Sequence, residues 1–217
     1  MNYENILVEY ENSVATIILN RPNVMNALNS QMRAELTDAV TRYSKEARVV
    51  VLTGSGRAFC SGQDLGDGNS LQSVDLERTL RDEYEPLIRA IVNSQVPTVT
   101  ALNGAAAGAG ANLALAADIV IAKSSAYFVQ AFSRIGLIPD VGGTYFLPRA
   151  MGLAKAIGSS IFADKIMAAE AHEIGLIYEY VEDDDYDIHL KSRVEYLANG
   201  PTVAFAGIKN AMRQSLR

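Results

Sequence analysis

Polar and apolar positions alternate from Ile6 to Tyr10, and Val14 to Leu19 (VATIIL) is β-branched and nearly continuous. Two strands are expected there, with ENS (11–13) turning between them. NRPNVMNALN reads as a polar loop. Ser30 is a good helix N-cap ahead of Met32, Leu36, Val40 and Tyr43, which share one face. Arg48-VVVLTG is a short apolar strand ending at Gly54, expected to be buried on both faces. GSGRAFCSGQDLGDGNS, with glycines at 54, 56, 62, 66 and 68, reads as a long loop.

Asp75 to Asn93 has helical spacing of Leu76, Leu80, Tyr84, Leu87, Ile88 and Ile91, with Pro86 either kinking the helix or starting its second half. Pro97-TVTAL is a buried-looking strand, and NGAAAGAGANLALAA is a glycine-rich turn running into a small-residue helix. Strands are expected at Asp118-IVIA and Ala126-YFVQ, helices at Met151–Phe162 and Ala168–Glu173, and a short strand at Gly175-LIYEYV. EDDDYD reads as a solvated surface turn. The last helices are expected at 188–198 and 201–216, with Pro201 suited to a first helical position. Strand and helix alternate throughout, without repeats or a linker, which places the chain in the α/β class.

The chain's 217 residues suffice for one large domain or two small ones with a well-buried core. Apolar residues make up 49% and charged residues 20%, an ordinary balance for a soluble protein. The formal net charge of -6 argues against nucleic acid as a partner, because a phosphate-binding surface wants a basic excess. A lone cysteine, Cys60, permits no internal disulfide and fits a reducing compartment. The opening MNYENILVEYENS lacks an apolar run, and no stretch approaches the ~20 apolar residues that would span a bilayer. A cytoplasmic location, with no membrane partner, is the expectation.

Several motifs invite chemistry. GAAAGAG (104–110) matches G-x-x-x-G-x-G, whose glycines let backbone N–H groups approach a ligand. It lies mid-chain, and no Tyr-x-x-x-Lys accompanies it, so a nicotinamide cofactor is not expected. It serves either as a packing turn or as a source of N–H donors for some other ligand. Cys60 as a nucleophile would need His172 or His189, and nothing places either near it. No metal-ligand spacing occurs among the histidines and acids, so no metal is expected. The stretch GLIPDVGGTYFLPR (136–149) holds one acid, Asp140, among apolar neighbours. Poor solvation would raise its pKa toward that of a general base, whereas Pro139-Asp140 could equally open a β-turn.

Taken together, ATIILNRPNVMNAL, VVVLTGSGRAFCSGQDL, PTVTALNGAAAGAGANLALAADIVIA, FSRIGLIPDVGGTYFLPRAMG and FADKIMAAEAHEIGLIYEYV resemble, in order, the crotonase (enoyl-CoA hydratase/isomerase) family. The likeness runs from about residue 5 to about residue 215. GAGANLAL and GLIPDVGGT are most similar to the 1,2-epoxyphenylacetyl-CoA isomerase subgroup. The resemblance implies a spiral of ββα units, with a core over 1–200 and the start of a C-terminal helical region over 201–217. It also implies a homotrimer or hexamer and an acyl-CoA substrate. No separate cofactor is implied, since CoA is part of the substrate.

The same resemblance implies that the N–H groups of Gln63 and Ala109 hold the thioester oxygen. Asn112 and Phe132 stand where the family's hydratases carry two water-activating glutamates, and Asp140 stands where the isomerases and the related aryl-CoA dehalogenases place a working aspartate. Val24, Ala27, Ser61, Asp64 and Leu65 would line the CoA path. Arg21 and Arg57 would either meet phosphate or stay solvated. Asn112 would orient substrate or water, and Phe132 or Tyr145 would either pack on an aromatic ring of the substrate or serve plain core packing. An isomerase is the expectation, with a hydratase or a catalytically silent acyl-CoA binder as alternatives. Family members usually continue well past KNAMRQS, so what covers the pocket stays open.

Overall fold

The computed structural model describes residues 3–66 and 75–215. β1 (Ile6–Glu11) and β2 (Val14–Leu19) form an antiparallel hairpin in register from Ile6↔Leu19 to Glu11↔Val14. Its two loop residues, Asn12 and Ser13, have φ of 50° and 64°, the left-handed pair that matches the twist of a tight hairpin. A 3-10 turn over Pro22–Val24 follows. Beyond it the Asn26 amide is wholly buried, taking Arg21 N–H at 2.9 Å and giving its own hydrogens to the Ser55 and Ala58 carbonyls.

α1 (Ser30–Glu46) is capped by Asn29, not Ser30: the Asn29 side chain accepts the Met32 N–H at 2.8 Å. Asn29 has the extended backbone that an N-cap needs, whereas Ser30 is already helical and its hydroxyl donates to Glu83 at 2.6 Å. β3 (Val49–Gly54) starts after Arg48, whose guanidinium instead bonds the Ala198 carbonyl. Part of the expected long loop is strand: β4 (Ala58–Cys60) is short, and its sequence signal is drowned by flanking glycines.

The Asp75–Asn93 segment divides into α2 (Leu76–Thr79), a π-helical turn over Leu80–Tyr84, and α3 (Glu85–Val92). Pro86 starts the second half. Glu85 N–H bonds the Leu80 carbonyl, five residues back, just before a residue with no N–H to give.

The remaining elements are β5 (Thr98–Leu102), β6 (Ala105–Ala107), α4 (Ala109–Leu115), β7 (Ile119–Lys123), β8 (Tyr127–Val129), α5 (Gly143–Phe162), β9 (Lys165–Met167), α6 (Ala168–Glu173), β10 (Glu179–Val181), α7 (Tyr186–Asn199) and α8 (Thr202–Gln214). α5 begins eight residues before the expected Met151, contains Pro148 and breaks at Gly152, where φ is 77°. β9 went unseen, being three residues long. Only 179–181 of the expected 175–181 strand pairs, and Pro201 lies just outside α8.

The topology is a repeat. β3, β5 and β7 run parallel in a sheet ordered β1-β2-β3-β5-β7-β10, and each is followed by a strand of a second sheet ordered β4-β6-β8-β9. A helix follows each such strand pair. This is a spiral of ββα units. The larger sheet is covered on both faces, so β3 reads as an unbroken apolar run: Val50 and Leu52 join the main core with Ile17, Phe59 and Leu102, while Val49 and Val51 pack under α7 with Val99 and Tyr186.

α8 is moored through Asp118, which accepts the N–H and hydroxyl of Thr98 at 2.9 Å each, Lys209 Nζ at 2.6 Å and Arg213 at 2.9 Å. Removing one partner of a buried pair strands the other charge. Asp118→Ala should lower the unfolding free energy by about 3–5 kcal/mol, read from urea denaturation. A loss below about 1 kcal/mol, as for an exposed pair, would show that the mooring contributes little.

Candidate active site

β4, β6 and β8 are adjacent, and β6 runs parallel to both, so the segments leaving their carboxyl ends converge. Gln63 lies past β4, Ala109 opens α4 past β6, and Ala131 and Phe132 lie past β8. All four line one cavity of about 260 Å³, together with Ser61, Gly62, Leu65, Leu80, Tyr84 and Asp140.

Two glycines set how closely these backbones meet. A Cβ on Gly62 would sit 2.9 Å from the Ala107 carbonyl oxygen and 3.5 Å from Ala109 N, and Gly62 has φ of 100°. A Cβ on Gly110 would strike the Cys60 carbonyl at 2.5 Å. Only hydrogen fits at either place. The glycine-rich 104–110 stretch is thus a packing turn that also brings a helix start to the cavity.

Leu28 bridges to Gln63 in parallel: Leu28 N–H bonds the Gly62 carbonyl at 2.8 Å, and Asp64 N–H bonds the Leu28 carbonyl at 3.2 Å. In that pattern the residue between the two bonds, Gln63, directs its own N–H to the opposite side. Neither the Gln63 nor the Ala109 N–H is engaged among the described backbone hydrogen bonds.

Asp140 is the only acid on the cavity among the described residues. Its backbone carbonyl accepts Gly143 N–H at 2.7 Å, so the expected turn exists as well. The side chain is not spent on that turn: Oδ1 is buried and finds no protein partner among the described residues. Burial, outweighing a bond from its own N–H, pushes the carboxyl up to about 6. Leu80, Tyr84 and Asp140 also line a wider groove of about 680 Å³, with Ile88, Ile138 and Val141.

The other expected contacts divide. Ser61, Leu65 and Phe132 line the cavity. Asn112 does not: it is wholly buried, donating to the Asp140 carbonyl at 2.8 Å and accepting from Gln130 at 3.0 Å. It braces the Asp140 turn from outside the cavity lining. Tyr145 is also off the cavity, stacked under Arg149 at 3.8 Å. Val24 is exposed and Ala27 buried; their carbonyls take the Ser61 hydroxyl and the Arg21 guanidinium. Burial opposes ionisation of Asp64, but Arg21 at 2.7 Å and the Gly66 N–H outweigh it and hold its pKa low. Arg21 is therefore already paired. The Cys60 thiol is buried and pushed up to about 12, unlike a nucleophile. Sequence reading missed Tyr84 as a cavity residue and Arg33 behind it, and no local signal marks either.

A family model described as Enoyl-CoA hydratase/isomerase matches residues 9–217. The chain belongs to this family. It is 57% identical over 216 residues to the "Probable enoyl-CoA hydratase" of Rhodobacter capsulatus, covering 100% of this chain and 84% of that one. It is 42% identical over 217 residues to the 1,2-epoxyphenylacetyl-CoA isomerase of Escherichia coli, covering 98% and 83%. The crystal structure of an enoyl-CoA hydratase from Mycobacterium avium subsp. paratuberculosis superposes with a TM-score of 0.89 at 30% identity, covering 99% and 83%. The crotonase fold is therefore established. No helix among the described residues is long and apolar enough to cross a membrane.

Because the folded pKa of Asp140 lies above the unfolded value of ~3.9, its charge destabilises the fold at neutral pH. That penalty is full above pH 6 and fades as pH falls toward the unfolded value. Asp140→Asn should raise the melting temperature at pH 7.5, with the gain shrinking below pH 6. A pH-independent difference in melting scans would show that the carboxyl is solvated.

Proposed function

We propose that this protein is an acyl-CoA isomerase that moves a double bond or rearranges a ring beside a thioester, with Asp140 as its single acid and base. The observation that carries this is the partnerless Asp140 Oδ1, buried on the cavity that Gln63 and Ala109 also line.

The Gln63 and Ala109 N–H groups hold the thioester oxygen. For a 3-enoyl-CoA, the Asp140 carboxylate removes a proton from C2. The C–H electron pair becomes the C1=C2 bond of a dienolate that keeps C3=C4, and the carbonyl π pair moves onto the held oxygen as its negative charge. Each well-placed donor is worth about 3 kcal/mol there. The protonated Asp140 then delivers its proton to C4. There the C3=C4 pair forms the new C–H bond, the C1=C2 pair becomes C2=C3 and the carbonyl re-forms. The carboxylate is restored and the double bond ends conjugated to the carbonyl. For an epoxide, the same groups assist ring opening and expansion.

Adding water instead normally takes two carboxylates. Asn112 is committed to the Asp140 carbonyl, and Phe132 has no proton to give. The similarity to the E. coli 1,2-epoxyphenylacetyl-CoA isomerase supports the isomerase reading. The higher identity to a relative named as a hydratase favours the second reading, water addition with Asp140 alone.

Incubation with a 3-enoyl-CoA in heavy water decides between them. Bond migration with deuterium uptake is expected, falling about 10²–10⁴-fold in Asp140→Asn; a 3-hydroxyacyl product would instead establish hydration. The base must be ionised, so kcat/KM should drop as pH falls through about 6. A profile flat between pH 5 and 8 would remove Asp140 from the role of base.

A further inference from the structure

Behind the cavity wall sits a buried cation that the reaction above does not use. Arg33 is 3% exposed. Its guanidinium donates to the Leu28 carbonyl at 2.6 Å, to Gln63 Oε1 at 3.0 Å, to the Ser30 hydroxyl at 3.2 Å and twice to Glu83 Oε2, at 3.0 and 2.6 Å. It also lies over the Tyr84 ring, 4.8 Å from the centroid. Tyr84, equally buried, donates its phenolic hydrogen to the same Gln63 oxygen at 2.5 Å. The π-helical turn presents both Leu80 and Tyr84 to the cavity.

Such a cluster is a poor way to gain stability. Taking a guanidinium out of water is costly, and apolar side chains of like volume often hold a fold as well. What the cluster does achieve is geometric. The Leu28 carbonyl that Arg33 grips is the one that accepts Asp64 N–H, and the Gln63 side chain is held by two donors at once. The Gly62, Gln63 and Asp64 peptides are therefore pinned on one side by the Leu28 bridge and at the side chain by Arg33 and Tyr84. A planar fork can hold a carbonyl and an amide oxygen together; a lysine ammonium cannot do so with the same angles.

We propose that Arg33, acting through Gln63 and Tyr84, is a positioning residue that fixes the Gln63 backbone N–H against the thioester oxygen. The proposal rests on the reading of Gln63 as an oxygen-binding donor. Glu83 balances the buried charge, and Ser30 holds Glu83 in turn. Arg33 itself does not touch the substrate.

The test uses butyryl-CoA labelled with ¹³C at the carbonyl, a saturated thioester with no carbon–carbon double bond to migrate. Its carbonyl stretch is read by difference infrared spectroscopy on the wild type and on Arg33→Lys, Tyr84→Phe, Gln63→Leu and the Arg33→Lys/Gln63→Leu pair. Melting temperatures are measured alongside, as are kcat and KM for the isomerisation of a 3-enoyl-CoA. The wild type should shift the stretch to lower frequency. Arg33→Lys should lose a large part of that shift and about tenfold in kcat, with KM within about threefold. The pair should be no worse than Gln63→Leu alone, since Arg33 works through that side chain.

A folded Arg33→Lys with the full carbonyl shift would overturn the proposal, as would additive losses in the pair. Should Arg33→Lys fail to fold, Tyr84→Phe decides in the same way, because it removes one of the two holds on Gln63. A wild type that binds without any shift would defeat both this proposal and the donor reading beneath it. A shift without isomerisation would leave the positioning role standing and bring down only the isomerase.

Discussion

Main chain lies directly on main chain between the Cys60–Gln63 segment and the start of α4, and the site depends on that contact. With any side chain at Gly110, the helix start would be driven off Cys60; with one at Gly62, the loop would be driven off Ala107. The close approach turns two separate strand ends into one cavity wall. At this spacing there is no room for a Cβ, and the Gln63 and Ala109 N–H groups beside the contact are left unengaged among the described backbone hydrogen bonds.

Around that wall, polar groups act mostly on backbone. Asn26 ties the first loop to the β3–β4 connection, Asn112 holds the Asp140 carbonyl, and Asn29 caps α1. Asp140 departs from this habit. Its Oδ1 is left without a partner among the described residues, in a setting that resists its charge. A carboxyl that the fold would be more stable without is what functional strain looks like in electrostatic form.

The elements most legible in the sequence were those with enough length to show a period. The hairpin, α1 and the two-sided burial of β3 all follow from local pattern. β4, β6 and β9 were not legible, because three residues cannot display an alternation and their pairing is decided by chain far away. Asn29 outcompeted Ser30 as a cap through backbone conformation, which side-chain preference alone does not reveal. At the site, Asp140 stood out as a lone acid in apolar surroundings. Its turn and its open carboxyl both exist, so the two local readings were never exclusive. Asn112 was placed toward the ligand because of its column in the family pattern. The structure shows it turned away, since Gly143 leaves just enough space for its amide to reach the Asp140 carbonyl. Tyr84 and Arg33 escaped notice because they matter through partners 21 and 30 residues distant from them in the chain.

The π-helical turn over Leu80–Tyr84 holds one residue more than a regular helix would need to cover the same rise. Excising a single residue there would rewind the turn into ordinary helix while leaving the helix on either side in place. Leu80 and Tyr84, the two ends of the turn, would then meet the cavity at a changed angle to one another. The shape of the cavity in this chain is thus written partly in segment length. Kin differing by one amino acid here would present a differently contoured wall even if every remaining side chain were the same.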